Sequence, residues 1–256
     1  MRRLARPRAR SLDCVRTPAS VLAETLRSDP ARPRVTFYED TPGPALGERI
    51  ELSGKVLANW VSKAANALQD EYDLGPGSVV RLSLPPHWRA LYWALAVWSV
   101  GATLDLAGGP APDLLICDDP NAIATPPQSA PGDVVLVTLG ALSRAHAGPV
   151  PAGAMDEARD LATYGDQFVP AAEPSPDDLA LITEGARTPY REVLRPRDWP
   201  VGARVNLAGD LAQVLEATLA AWAVDGSVVL ARSGQHAGSD RQDGRLASEH
   251  VTLDLA

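Results

Sequence analysis

The chain has 256 residues, 45% of them hydrophobic, and a formal net charge of −8. That length can bury a substantial core in one or two domains, and that charge argues against a general nucleic-acid binder. The acidity is uneven: residues 1–16 (MRRLARPRARSLDCVR) carry a net +5, which leaves −13 on residues 17–256. The basic start lacks an apolar h-region, so it does not read as a secretory signal. It reads as a disordered tail, with contact to nucleic acid or anionic lipid as the alternative. No apolar run reaches membrane-spanning length, since Leu91–Val100 is too short. Cys14 and Cys117 form no disulfide framework and no metal spacing, so no metal site is expected. His87, His146, His236 and His250 show no ligand or triad pattern, and each reads as a surface or loop residue. A reducing, cytoplasmic setting is the default expectation.

In chain order, Thr17-Pro18 is a helix start, with Thr as cap and Pro at the first helical position. Val21, Leu22, Thr25 and Leu26 share a face, and Asp29-Pro30 ends the helix. Arg34–Glu39 and Arg49–Leu52 read as a hairpin around the turn Thr41–Gly47. Ser53 caps a helix whose stripe of Val56, Leu57, Trp60, Val61, Ala64, Ala65 and Leu68 faces a core. Leu74–Gly77 turns into the strand Val79–Leu84. Pro85-Pro86 breaks it, and Trp88–Val100 is an apolar helix. Its three indoles, Trp88, Trp93 and Trp98, lie five residues apart and spiral around the axis, so the helix is expected to be buried on both sides. Gly101 ends it before the strand Ala102–Leu106. A strand, a helix and a second strand in this order predict a parallel pair with a right-handed crossover.

Asp113–Cys117 is a further buried strand. The pair Asp118-Asp119 after it has no companion ligands and reads as solvated. A Pro-rich loop over Asn121–Gly132 leads to the strand Val134–Leu139. Ala141-Leu142-Ser143 could open a helix, and Met155–Tyr164 is a short helix. Ala171–Pro176 links to Asp177–Val193, where the strand Leu179–Ile182 empties into a turn-prone loop, Thr183–Pro189. A loop there lies where open α/β sheets place ligands. Val205–Leu207, a helix over Leu211–Val224 and the strand Ser227–Ala231 follow. The polar stretch Ser233–Arg245 reads as mobile, and His250–Leu255 as a final strand. The class is α/β, layered, with a mainly parallel sheet flanked by helices. The expected division is a tail over 1–16, an α/β domain over 17–232 and a flexible segment over 233–256.

Five stretches in this order resemble the adenylate-forming superfamily, which includes acyl-CoA synthetases and peptide-synthetase adenylation domains. They are Glu48–Leu68, Leu74–Leu84 (LGPGSVVRLSL), Ala94–Leu106 (ALAVWSVGATLDL), Asp177–Val193 and Val205–Leu230. The match is nearest to small actinobacterial-type proteins distantly similar to AMP-dependent synthetases. The resemblance implies a truncated N-terminal domain of that fold. It also implies that TEGARTPYREV stands where those enzymes carry a phosphate loop, "Thr-Ser-Gly-Thr-Thr-Gly-x-Pro-Lys-Gly-Val". Laid on that loop, Thr183, Gly185 and Val193 match, and Arg191 falls at the lysine. A register shifted by one aligns Pro189 instead. Thr183, Gly185, Arg187, Thr188 and Arg191 are therefore the candidate phosphate-binding residues.

The departures bear on function. One glycine remains where close approach of backbone to phosphate favours several. Glu184 and Glu192 introduce carboxylates, and at ~4 Å from a phosphate charge each repels it by ~1–4 kcal/mol. The resemblance further implies adenine-, ribose- and acyl-binding motifs and a C-terminal lid with a catalytic lysine, none of which the sequence contains. The expectation is a non-catalytic, adenylate-former-like binding or interaction protein, with no catalytic residue assigned. One alternative is an ATP-dependent carboxylate-activating ligase completed by a partner chain, and only there do ATP and Mg enter. A second is a nucleotide or small-ligand binding module. Surface left by missing subdomains predicts homo- or hetero-oligomerisation.

Overall fold

The structure, a computed structural model, describes residues 16–121, 133–233 and 239–256. The basic tail up to residue 15, the Pro-rich loop from 122 to 132 and His236 lie outside the described residues. Helix α1 (Pro18–Ser28) begins as its sequence predicts, with the Thr17 side chain accepting from the Ser20 amide. Strands β1 (Pro33–Asp40) and β2 (Arg49–Ser53) pair antiparallel. Ser53 caps α2 (Gly54–Asn66), which continues into a wider turn at Ala67–Glu71. Next come β3 (Val79–Ser83), α3 (Trp88–Ser99) and β4 (Thr103–Asp105), with β3 and β4 parallel. Gly101 closes α3 at a positive φ of 81°, a conformation that favours glycine.

Strands β5 (Leu114–Cys117), β6 (Asp133–Leu136) and β7 (Ala154–Asp156) precede the short α4 (Glu157–Asp160). Then follow β8 (Leu179–Thr183), β9 (Ala186–Pro189), the short α5 (Tyr190–Val193), β10 (Arg204–Leu207) and α6 (Leu211–Ala223). The described chain ends with β11 (Ser227–Ser233), α7 (Ser239–Ser248) and β12 (Leu253–Asp254).

The strands form two sheets. One has the order β12-β10-β11-β1-β2, parallel apart from the β1–β2 hairpin. The other has the order β7-β6-β5-β3-β4-β8-β9, parallel apart from the β8–β9 hairpin. Helix α3 touches β1 of the first sheet and β3 and β4 of the second, and it also packs on α1, α2 and α6. Every residue from Trp88 to Trp98 is buried, which agrees with the spiral of indoles. Trp98 Nε1 donates to Ala180 O in β8 at 2.9 Å, and Trp222 Nε1 of α6 donates to Arg34 O in β1 at 3.2 Å. Two tryptophans thus tie helices to sheet backbones through their polar edges. Trp60 stacks on Tyr92 with centroids 5.8 Å apart.

Charged groups enter this core only with partners. Arg34, fully buried, donates to Asp225 O at 2.9 Å, Gly226 O at 3.0 Å and Thr25 O at 3.2 Å, and pairs with the Asp225 carboxylate at 2.7 Å. Gly226 is required there, because a Cβ would lie 2.3 Å from Ala203 O. Arg89 donates to Glu157 at 2.7 Å and to Gly140 O at 3.1 Å, and the Tyr92 hydroxyl donates to the same Glu157 oxygen. His87 departs from the surface reading. It is 1% exposed and caps α3, its Nδ1 accepting from the Arg89 amide at 3.1 Å. Burial lowers its pKa well below the usual value, with Arg89 adding to the effect, so the ring is neutral and free to accept.

Two further expectations change. Ala141–Ser143 is a turn and not a helix start. Met155 belongs to β7, and the helix expected over Met155–Tyr164 shrinks to α4 and a 3₁₀ turn at Leu161–Thr163. Most of α7 falls within Ser233–Arg245, the polar stretch read as mobile, of which residues 234–238 lie outside the described residues. Beside α7 lie ion pairs that a sequence pattern does not display. Glu249 accepts from Arg49 Nε at 2.9 Å and also from the Tyr38 hydroxyl and Arg204. Arg245 pairs with Asp40 at 2.8 Å and lies over the Tyr38 ring at 3.9 Å.

Burial alone would push the Glu249 carboxyl up. The hydrogen bonds from Arg49, Tyr38 and Arg204 outweigh it and hold the group down to about 2 against an ordinary 4.5. A carboxyl depressed on folding stabilises above its unfolded pKa. The clasp is therefore fully formed at neutral pH and is lost as the pH falls from 4.5 through about 2. Limited proteolysis across that range should show the C-terminal segment released before the rest unfolds. Glu249→Gln should release it already at pH 7 and flatten the acid dependence, and an unchanged cleavage pattern would refute the clasp.

Candidate functional site

The stretch Asp177–Val193 does not form the open loop its composition suggests. Leu181 pairs with Thr188, Ile182 with Arg187 and Thr183 with Ala186, so Glu184-Gly185 is the two-residue tip of a tight antiparallel hairpin. Residues 186–189, expected in the loop, are strand β9. Gly185 does not adopt a positive φ, and nothing lies within 4 Å of a Cβ built on it. The freedom that glycine brings to a phosphate loop is therefore not drawn on at this position.

Behind the hairpin the chain is anchored. Tyr190, 1% exposed, donates its hydroxyl to Ala102 O at 2.8 Å, and burial pushes its phenol pKa up. The Tyr190 amide donates to Asp178 O and the Arg191 amide to Pro176 O, each at 3.0 Å. These bonds fold α5 back along the start of β8. Arg191 then pairs with Asp177 and, at 3.1 Å, with Glu192. Glu192 is its neighbour in sequence, whereas Asp177 is brought to it by the bond between the Arg191 amide and Pro176 O.

A cleft of about 500 Å³ opens between the hairpin and α6. Its apolar lining includes Trp98, Leu106, Leu181, Leu211, Leu215 and Leu219. Thr183, Glu184, Gly185, Thr188, Arg195, Asp210 and Glu216 supply its polar groups. The structure therefore brings three of the five candidates, Thr183, Gly185 and Thr188, to one cleft. Arg187 and Arg191 do not line it. Arg187 is exposed on β9, and among the described residues it has no ion-pair partner.

Four polar residues of the cleft were not singled out from the sequence. Asp210 caps α6 by accepting from the Gln213 amide at 2.9 Å, while Gln213 returns a bond from the Asp210 amide at 3.1 Å. The spacing Asp-x-x-Gln before an apolar run is a capping-box signal that could have located this helix end. The capping box satisfies the Gln213 and Asp210 amides and places the Asp210 carboxylate at the α6 N-terminus, where it opposes an approaching anion. Glu216 receives Arg195 at 3.4 Å and Arg197 at 2.9 Å. Nineteen and twenty-one residues separate these partners, so no local pattern marks them. Among the described residues no group of three or more His, Cys, Asp or Glu side chains is arranged to hold a metal ion, and no helix is long and apolar enough to cross a membrane.

No family model matches the chain. A protein of Mycobacterium tuberculosis, named "TIGR03089 family protein", is 34% identical over 249 residues, which is 91% of this chain and 95% of the relative. Among solved structures, an acyl-CoA synthetase from Brucella canis superposes with a TM-score of 0.71 at 16% identity. That match takes in 96% of this chain and 48% of the synthetase. The nonribosomal peptide synthetase FmoA3 gives 0.67 at 17% identity, over 93% of this chain and 25% of that one. Klebsiella oxytoca NpsA, solved with 3-hydroxyanthranilyl-AMSN, gives 0.64 at 16% identity, over 93% and 47%. The chain has the fold of the N-terminal part of adenylate-forming enzymes, and it spans about half the length of two of these neighbours and a quarter of the third.

The hairpin's position depends on the buried Tyr190 hydroxyl. Tyr190→Phe should cost about 1 kcal/mol by urea denaturation, the net worth of one buried hydrogen bond. A change below ~0.3 kcal/mol would show that the anchor lies elsewhere.

Proposed function

We propose that this chain, which belongs to the TIGR03089 family, is a non-catalytic binding protein built on the adenylate-forming fold. The observation that carries the reading is the closure of Thr183–Ala186 into a two-residue hairpin turn. A phosphate loop works by directing several free backbone N–H groups at one anion, in a concavity that small residues leave open. A hairpin whose flanking residues pair with each other has its N–H groups along the strands and not around a centre. Glu184 stands at its tip, where a triphosphate would meet a like charge. Arg191 is held by Asp177 and Glu192.

Acyl adenylation needs nucleotide, carboxylate and cation positioned together in a closed site, because its rate comes from positioning and from preorganised charge. The cleft beside the hairpin has a shape and an apolar lining suited to a small ligand. Fold alone does not carry activity, so the reading rests on the site. A cytoplasmic, reducing setting accompanies it as part of the same proposal.

A second reading has one observation in its favour: the chain spans about half the length of the acyl-CoA synthetase it superposes on. On that reading a partner polypeptide supplies the rest of the site, ATP and Mg bind across the junction, and the product is an acyl adenylate. Arg187 and Arg191 would contact phosphate.

ATP–pyrophosphate exchange over a panel of carboxylic acids separates the two. The purified chain should give no exchange above background, and robust turnover would remove the non-catalytic reading. If turnover appears only with a co-purifying partner, Arg191→Ala should abolish it on the second reading. Full activity of that variant would remove the role given to Arg191.

A further inference from the structure

A second cleft, of about 540 Å³, lies beside the first. It is lined by Arg81 to Pro85 at the end of β3, by Leu106 to Gly108 after β4, by Asp118 after β5, and by Leu211. Strand β3 leads outward to β4 on one side, while β5 leads to β6 on the other. The cleft therefore opens at the point where the strand order reverses, outside the carboxyl ends of the strands, and such crevices are where open α/β sheets bind ligands. Leu106 and Leu211 line both clefts. These two residues stand between the clefts, which lie side by side along the ends of β5, β3, β4 and β8. Three strand spacings make this a span of about 14 Å.

The walls combine an apolar middle with an acidic balance. Leu82, Leu84, Leu106, Leu181, Leu211 and Leu215 supply the apolar surface. The charged lining residues are Asp118, Glu184, Asp210 and Glu216 against Arg81 and Arg195. Both cations are occupied: Arg81 holds Asp105 at 2.8 Å, and Arg195 lies 3.4 Å from Glu216. Arg232, whose charge acts on Asp118, is itself 3.6 Å from Glu39. Glu184, exposed at the hairpin tip, has no cationic partner among the described residues. Glu216 is itself paired with Arg195 and Arg197, and Asp210 caps α6, so Asp118 and Glu184 are the carboxylates without a salt bridge among the described residues. An anion entering this groove meets them and finds its cations already paired. A cation with an apolar body meets complementary charge and complementary surface.

We propose that the two clefts form one groove, and that its ligand is an elongated apolar molecule with a cationic head, a long-chain primary amine with its ammonium at the Glu184 end. The inference rests on the binding reading above and names the chemistry of the ligand. It predicts selection by charge in the order amine, alcohol, carboxylate for one chain length. It also predicts selection by length, because a short chain leaves the Leu106–Leu211 junction and the cleft beyond it unfilled.

The test is titration of the full chain with dodecylamine, dodecanol and dodecanoate below their critical micelle concentrations. Binding is followed by tryptophan fluorescence, since Trp98 lines the first cleft. Dodecylamine should bind at least about tenfold tighter than dodecanoate, and butylamine at least about tenfold weaker than dodecylamine. Glu184→Gln, an exposed substitution, should narrow the amine's advantage about threefold while leaving dodecanol unchanged. Ala212→Trp should fill the first cleft and abolish amine binding.

Equal or tighter binding of dodecanoate would overturn the proposal. So would amine binding that persists in Ala212→Trp, which would mark adsorption to the acidic surface, or the absence of any binding by dodecylamine. Pyrophosphate exchange reports separately on the non-catalytic reading. Turnover with the amine order intact would remove that reading and keep the ligand class. A failed amine series without turnover would overturn the ligand class alone.

Discussion

Helix α3 is the constraint from which the architecture follows. Eleven consecutive residues, Trp88 to Trp98, are buried, so this helix has no solvent face. A helix apolar all round is stable only if every side is covered. Here one side is covered by β1 and another by β3 and β4, which belong to different sheets. Two layers of strand are thus a consequence of one helix having nowhere else to put its tryptophans. The same burial dictates how polar edges are treated. The Trp98 indole N–H is satisfied by Ala180 O, and that bond fixes β8 against the helix. The indole N–H groups of Trp88 and Trp93 find no partner among the described residues, a cost that the packing of their rings must outweigh.

Fixing β8 fixes the hairpin that follows it. Tyr190 donates to Ala102 O just beyond the C-terminal end of α3, so the returning segment after β9 is tied to the same helix. Between these two anchors, the span from Ala180 to Tyr190 holds three strand pairs and a two-residue tip. The turn at Glu184-Gly185 is held by the pairing of the two strands that flank it. The fold shared with an acyl-CoA synthetase does not by itself carry a chemistry, which is set by the residues at the strand end.

Much of the fold was legible because it is written in local periodicity. The caps Thr17 and Ser53, the spiralling indoles of α3 and the strand–helix–strand order each report on residues close in sequence. What was not legible depends on partners far apart. His87 looks like any loop histidine until Phe37 and Trp88 close over it. The polar helix α7 carries no apolar stripe, and its neighbourhood is held by Glu249 reaching Arg49 and Arg204, 200 and 45 residues away. Strand β9 escaped notice because Arg-Thr-Pro lacks the β-branched run that marks strands, and only its pairing with β8 reveals it. The candidate site divides along the same line. Thr183, Gly185 and Thr188 follow from the strand end, whereas Asp210, Glu216 and Arg195 join the cleft only through tertiary packing.

Charge has been distributed so that stability and ligand chemistry do not compete. The arginines that reach inward, Arg34, Arg81, Arg89 and Arg204, are each spent on a carboxylate. Removing Arg81, Arg89 or Arg204 would strand a buried negative charge, and Arg34 is itself buried against Asp225, so these pairs are bound to the fold and are not available to a ligand. The residual acidity of the chain is left on surfaces and rims, Glu184 among them, where water carries the cost of the unpaired charge. A groove lined in this way discriminates against anions without any dedicated rejecting group, because the cations an anion would need are already committed elsewhere. Its selectivity is a by-product of how the core was neutralised.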